Sequence, residues 1–177
     1  MQSITDEILE HQKLLSTLLE TLQSYLYTAK VILQEAYKHN KRVYVFGNAL
    51  NSINAQTIAF LLNDVSQKGF ATCLSSDAIT LSSICNDYGI DFIFEKQIAL
   101  YAQEGDILIG LSESGASKNI LRALSLGRNI GCKTIGLSGN DGGFMGEFCD
   151  VSIVIPSSNK LRIQEMFGIV SHIITRL

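Results

Sequence analysis

Five short runs rich in apolar and β-branched residues, at 43–46, 71–75, 106–111, 133–137 and 151–155, are separated by stretches long enough for helices. This alternation is the strongest constraint on the fold. Strands spaced by helix-length segments pair in parallel, because each crossover returns the chain to the same end of the sheet, and the crossover helices then cover both faces. The candidate helices fall at 53–63, 78–86, 92–102, 118–129 and 160–176. Gly131 closes the fourth of these, and Pro156 ends the last strand, where a missing amide does no harm. The reading is a doubly wound α/β fold with a parallel five-stranded sheet.

Ahead of the sheet, Ile4, Ile8, Leu15, Leu18, Leu19, Leu22, Leu26, Ala29, Ile32, Leu33 and Ala36 recur at spacings of three and four, uninterrupted by glycine or proline. The result is a helical region of over 30 residues. That exceeds the usual helix of a compact domain, so it is either two helices or one helix whose apolar face extends onto another subunit. An oligomer is the favoured outcome. The division is therefore one domain over 1–177, with an N-terminal helical oligomerisation region at 1–38 and an α/β core at 43–177.

Charge narrows the partners. A net charge of −3 and a pI near 5.6 give no basic face for nucleic acid or for an anionic membrane. The polar, acidic start MQSITDEILEHQ is unlike a signal peptide, and no apolar run approaches a membrane span, so a cytoplasmic protein is expected. Cys73, Cys85, Cys132 and Cys149 are widely spaced on apolar stretches without a Cys-x-x-Cys pair, which reads as reduced structural thiols.

In open α/β sheets, ligands bind where strands end and helices begin, since a helix N-terminus offers unpaired amides and partial positive charge. The loops in question are 47–53, 75–78, 111–118, 138–143 and 156–160. In LSESGASKN (111–119), Ser112, Ser114 and Ser117 surround Gly115 just before a helix. Hydroxyls and backbone amides at a helix start suit a phosphate that is held rather than attacked. The competing structural role is an N-cap by Ser117, with the other serines as turn residues. A Gly-x-Ser-x-Gly elbow, a P-loop and a dinucleotide fingerprint are all missing from this segment.

Strand-Gly-Asn at 47–48, Ser-x-Ser-Gly-x-Ser at 112–117, Leu-Ser-Gly-x-Asp-Gly-Gly at 137–143 and Arg-Ile-Gln-Glu at 162–165 after Ile-Pro-Ser resemble the SIS (sugar isomerase) domain. Within it the likeness is to the phosphoheptose isomerase subfamily, which also holds the DnaA-initiator-associating protein DiaA. Cys85 to Gly89 and Phe94 to Gln97 resemble that subfamily too. The resemblance implies a flavodoxin-like doubly wound sheet, a homotetramer with sites shared between subunits, and a phosphorylated sugar as ligand. It also implies phosphate contacts from Ser112, Ser114 and Ser117, with the first loop (Asn48, Asn51) and Asn86-Asp87 around the sugar.

The isomerases of the subfamily carry zinc and an acid/base pair: Gln-His with a Glu four residues on in the first motif, then the Gln of Arg-Ile-Gln-Glu and a His eight beyond. His and Glu at that spacing share a helix face, and such groups can hold zinc while polarising a carbonyl. Here Gln164 and His172 keep the second half. In the first half Gln56 remains, but Thr57 and Leu61 replace the His and Glu, Asn51 replaces the loop serine, and Ala49-Leu50 replace Gly-Gly or Gly-Thr. Threonine is a poor zinc ligand and leucine accepts no proton. No cofactor is expected, and zinc would have to bind through Gln164 and His172 without two of its ligands.

Two readings follow. One is an aldose–ketose isomerase of sedoheptulose 7-phosphate or a similar phosphosugar, with His172 and Glu165 moving the proton. The other is a non-catalytic, DiaA-like sensor or regulator acting through protein contacts. A hetero-oligomer, in which an isomerase paralogue supplies the missing His and Glu to a shared site, fits the same substitutions.

Overall fold

A computed structural model describes residues 3–66 and 70–176; the side chains of Leu18 and Leu19, part of the N-terminal apolar pattern, lie outside the described residues. Helix α1 (Ile4–Glu20) starts on a capping box in which the Ser3 hydroxyl accepts from the Asp6 amide and the Asp6 carboxylate accepts from the Ser3 amide. Helix α2 (Gln23–Lys38) follows after a break at Thr21 and Leu22, so the long periodic region is two helices. The sequence marks this break only by hydroxyls. Thr17 and Thr21 each donate to the carbonyl four residues back, a side-chain bond that loosens a helix.

Strands β1 (Val43–Gly47), β2 (Ala71–Cys73), β3 (Ile107–Ser112), β4 (Lys133–Gly139) and β5 (Val151–Ile155) form one parallel sheet in the order β2-β1-β3-β4-β5. Helix α3 (Asn51–Ser66) joins β1 to β2, α4 (Ala78–Tyr88) and α5 (Glu95–Tyr101) join β2 to β3, and α6 (Lys118–Ile130) joins β3 to β4; a 3-10 turn at Met145–Phe148 lies between β4 and β5, and α7 (Lys160–Ile174) follows β5. The expected strand at 71–75 is shorter than predicted, and the expected helix at 92–102 begins instead as a 3-10 turn at 90–92 before α5. There, Gly89 takes a φ of 89° and resets the chain direction.

Strand alternation divides the core into two layers. Val43, Val45, Ile107, Ile109 and Leu111 point to one side, where α2, α3 and α7 pack with Leu33, Ile58, Leu62 and Phe167. Tyr44, Phe46 and Leu108 point to the other, against Ile98, Ile120 and Leu124 of α5 and α6. Both faces of β1 and β3 are buried, which is why those strands read as continuous apolar runs.

A buried arginine ties α1 to this body. Arg162, 7% exposed at the start of α7, pairs with Glu7 at 2.8 Å, Glu165 at 2.7 Å and Glu10 at 3.7 Å. None of the helices is long and apolar enough to cross a membrane, among the described residues.

Candidate functional site

The strand order reverses between β1 and β3, where the chain leaves toward opposite edges of the sheet. Such switch points open a crevice at the carboxyl ends of the strands, because the two following helices lie on opposite faces. A cleft of about 310 Å³ lies there, lined by Asn48, Ala49, Asn51, Glu113, Ser114, Ser117, Asn140, Ser158, Lys160 and Ile163. Three helix N-termini, those of α3, α6 and α7, contribute lining residues, so their dipoles favour an anion in the cleft.

The serine loop does not cap its own helix. Ser117 is the N-cap residue of α6 but makes no side-chain cap; its hydroxyl pairs with that of Ser112 at 2.9 Å. The α6 amides are thus left without a side-chain acceptor, and the capping role that the sequence allowed for Ser117 is not taken up. Ser114 is exposed and accepts from the Ala116 amide at 3.2 Å. Asn48 is locked by reciprocal amide bonds to Asn119, at 2.9 and 3.0 Å, which fixes the end of β1 beside the α6 N-terminus.

Glycines let two loops meet backbone to backbone. Gly115, at φ +62°, approaches the 139–143 loop so closely that a Cβ would lie 1.9 Å from the Gly142 carbonyl oxygen. The Phe144 amide donates to the Gly115 carbonyl and the Gly139 amide to that of Glu113, both at 3.0 Å. These contacts give the Leu-Ser-Gly-x-Asp-Gly-Gly motif its physical role as the support of the serine loop. In the first loop Ala49 sits at φ +48°, a conformation that glycine adopts without strain.

Across the cleft, Gln164 organises a polar network. Its Nε2 donates to the Asn51 Oδ1 and, at 2.6 Å, to Glu113 Oε1, while its Oε1 accepts from Asn54 Nδ2 at 2.9 Å. Sequence reasoning assigned roles to Asn51 and Gln164 but none to Glu113, Asn54 or Lys160. Glu113 was hidden between the serines, and its importance depends on Gln164, which is 51 residues away.

The other sequence-predicted residues are spread more widely. His172 stands eight residues after Gln164, about 12 Å along α7 at about 1.5 Å per residue, is exposed, and does not line the cleft. Glu165 faces the other way, held by Arg162 at 2.7 Å and His11 at 3.4 Å. Asn86 and Asp87 lie exposed at the end of α4 and bond to each other at 2.9 Å, outside this cleft. The Thr57 hydroxyl donates to the Ile53 carbonyl, and Leu61 is partly buried next to it on α3.

A larger cavity, about 630 Å³, opens at the amino ends of β1 and β3 between Lys41, Arg42, Tyr44, Tyr101 and Asp106. Its charges serve the chain's own backbone. Lys41 donates to the Glu104 carbonyl at 2.7 Å, and Asp106 accepts from the Arg42 and Gln103 amides at 2.9 Å each. Burial pushes the thiol of Cys132, just outside it, up to about 11, and that of Cys149 up to about 12. Neither is a nucleophile at neutral pH.

Comparison with known proteins agrees with the fold. The SIS domain family profile matches residues 8–139. The chain is 43% identical to the phosphoheptose isomerase of a Nitratiruptor species, over 100% of this chain and 97% of that one. It is 39% identical to that of Aliarcobacter butzleri, over 99% and 95%. Among solved structures, phosphoheptose isomerase GmhA from Neisseria gonorrhoeae superposes with a TM-score of 0.92 at 26% identity, covering 97% of this chain and 94% of that one. The chain therefore belongs to the SIS domain family, and these relatives, matched over nearly their full length, are phosphoheptose isomerases.

Proposed function

We propose that the chain binds a phosphorylated sugar of the phosphoheptose class in the β1/β3 cleft and acts as an aldose–ketose isomerase on it. The phosphate would rest on Ser114, Ser117 and the α6 amides, and the sugar would extend toward Asn51, Glu113 and Gln164; Ser112, expected from the sequence as a further contact, is buried beneath the cleft and supports Ser117. One observation carries this reading: Ser117 forgoes its cap, so that a serine cradle and uncapped α6 amides face a cleft into which two further helices point. Lys160 adds an exposed positive charge at the α7 start.

The donor set does not fit the zinc of the subfamily. Leu61 has no donor, the Thr57 hydroxyl is spent on its own helix, and the Gln164 oxygen faces an N–H of Asn54. We infer that the reaction uses neither zinc nor an imidazole and carboxylate at 57 and 61. Those same substitutions favour the second reading, a DiaA-like protein that binds the sugar phosphate without turnover.

The assembly we infer is a homotetramer in the cytoplasm. Ile4, Ile8 and Leu15 on α1, Ile53 and Phe60 on α3 and Ile173 on α7 are exposed on the single chain, more apolar surface than helices of an isolated domain usually present. A paralogue carrying the His and Glu could occupy the same contacts in a hetero-oligomer. A phosphorus NMR titration with sedoheptulose 7-phosphate tests the ligand: the phosphorus signal shifts or broadens in the wild type and is restored by Ser112→Ala/Ser117→Ala. An unchanged wild-type spectrum refutes the proposal.

A further inference from the structure

Among the described residues that line the cleft, Glu113 is the one carboxylate. Its placement is tightly specified. The backbone is pinned where the Gly139 amide donates to its carbonyl at 3.0 Å, and Oε1 is held by Gln164 Nε2 at 2.6 Å. Gln164 cannot turn its oxygen toward the acid, because that oxygen accepts from Asn54 and its second N–H is given to Asn51. The carboxylate is thus drawn to the α3 and α7 side of the cleft, with Oε2 left for a ligand.

A carboxylate this near a phosphate cradle is costly for binding alone, since it repels the anion that the serines and helix dipoles attract. Its benefit must come from the carbon end of the ligand. We propose that Glu113 is the proton-transfer residue of this cleft, supplying the carboxylate that is missing at Leu61. This rests on the phosphosugar reading given above.

The chemistry balances with the chain's own groups. With a bound ketose phosphate, Glu113 takes one proton from C1, the C–H pair becomes the C1=C2 bond, and the carbonyl pair moves onto O2. The Asn51 side-chain amide borders that oxygen as a fixed dipole, since both Gln164 N–H groups are already given to Asn51 and Glu113. The O1 proton then passes to O2, C1=O forms, and Glu113 returns its proton to C2, giving the aldose. No oxidant or co-reactant is consumed.

The test compares wild type, Glu113→Gln and Glu113→Asp with sedoheptulose 7-phosphate in heavy water containing a chelator. Phosphorus NMR reads binding, and proton NMR reads deuterium entry at C1. Glu113→Gln is expected to bind within about threefold of wild type while exchange falls about 100-fold, the usual share of a general base. Glu113→Asp should restore part of the rate. Three results overturn the assignment while leaving the phosphosugar reading intact: a wild type that binds without exchange, a Glu113→Gln variant that exchanges at the wild-type rate, or a variant that loses binding and exchange together. A wild type that does not bind overturns the underlying reading itself.

Discussion

Replacing Gly115 by alanine isolates the contact that supports the serine loop. At φ +62° a Cβ costs about 1–2 kcal/mol through its clash with the local backbone. It would also sit 1.9 Å from the Gly142 carbonyl oxygen, where real Cβ atoms stay beyond 3.0 Å. The two loops must separate by 1.1 Å, the difference of those distances. The obstacle is backbone, so no side chain can swing aside. Separation stretches the Phe144 amide to Gly115 carbonyl bond, worth about 1 kcal/mol. The sum is about 2–3 kcal/mol, or a fall in Tm of about 4–12 °C for a chain of this size. Calorimetry measures the fall, and titration with sedoheptulose 7-phosphate should show affinity reduced more than about tenfold, since the cradle is displaced by about the tolerance of a bound phosphate. A Tm within 1 °C of wild type (about 0.3–0.5 kcal/mol) together with unchanged affinity would show that the Gly115–Gly142 contact does not hold the loop.

Arg162→Ala removes the cation shared by Glu7, Glu10 and Glu165. Because these carboxylates are 29–44% exposed they rehydrate, so the loss should be near 2 kcal/mol rather than the 3–5 of a fully buried pair. Hydrogen exchange should quicken in α1 and leave β1, β3 and β4 protected. Thr57→His/Leu61→Glu places imidazole and carboxylate one turn apart on α3, and equilibrium dialysis should show zinc affinity at least about tenfold above that of wild type. Equal zinc uptake by both proteins would show that the remaining ligands do not converge on α3.

Much of the architecture is legible in the sequence for a simple reason. β1 and β3 are buried on both faces, so their apolar runs stand out, and Gly131 marks the α6 end by its left-handed conformation. Other features need the third dimension. The α1/α2 break has no glycine or proline, only hydroxyls that bond back to their own helix. The Ser112, Ser114 and Ser117 loop is visible as a motif, but that Ser117 turns to Ser112 instead of capping α6 depends on the fold of the loop.

The site residues divide along the same line. Asn48, Asn51, Ser114 and Ser117 meet in the cleft because all follow strands adjacent at the switch point. His172, Asn86 and Asp87 carry chemistry in sequence yet lie outside the cleft of a single chain, while Glu165 is engaged by Arg162. Glu113 shows the converse. A carboxylate flanked by serines has no periodicity to betray it, and its orientation is set by an amide on the last helix.

Sugar-phosphate binding at the carboxyl ends of β1 and β3 underlies every function proposed above. A crystal structure grown with sedoheptulose 7-phosphate tests it most directly. The phosphate is expected within hydrogen-bonding distance of Ser114 or Ser117 and the α6 amides, with the sugar carbonyl end beside Glu113 and Gln164. A phosphate seated instead between Lys41 and Arg42, in the larger cavity at the amino ends of the strands, would contradict it.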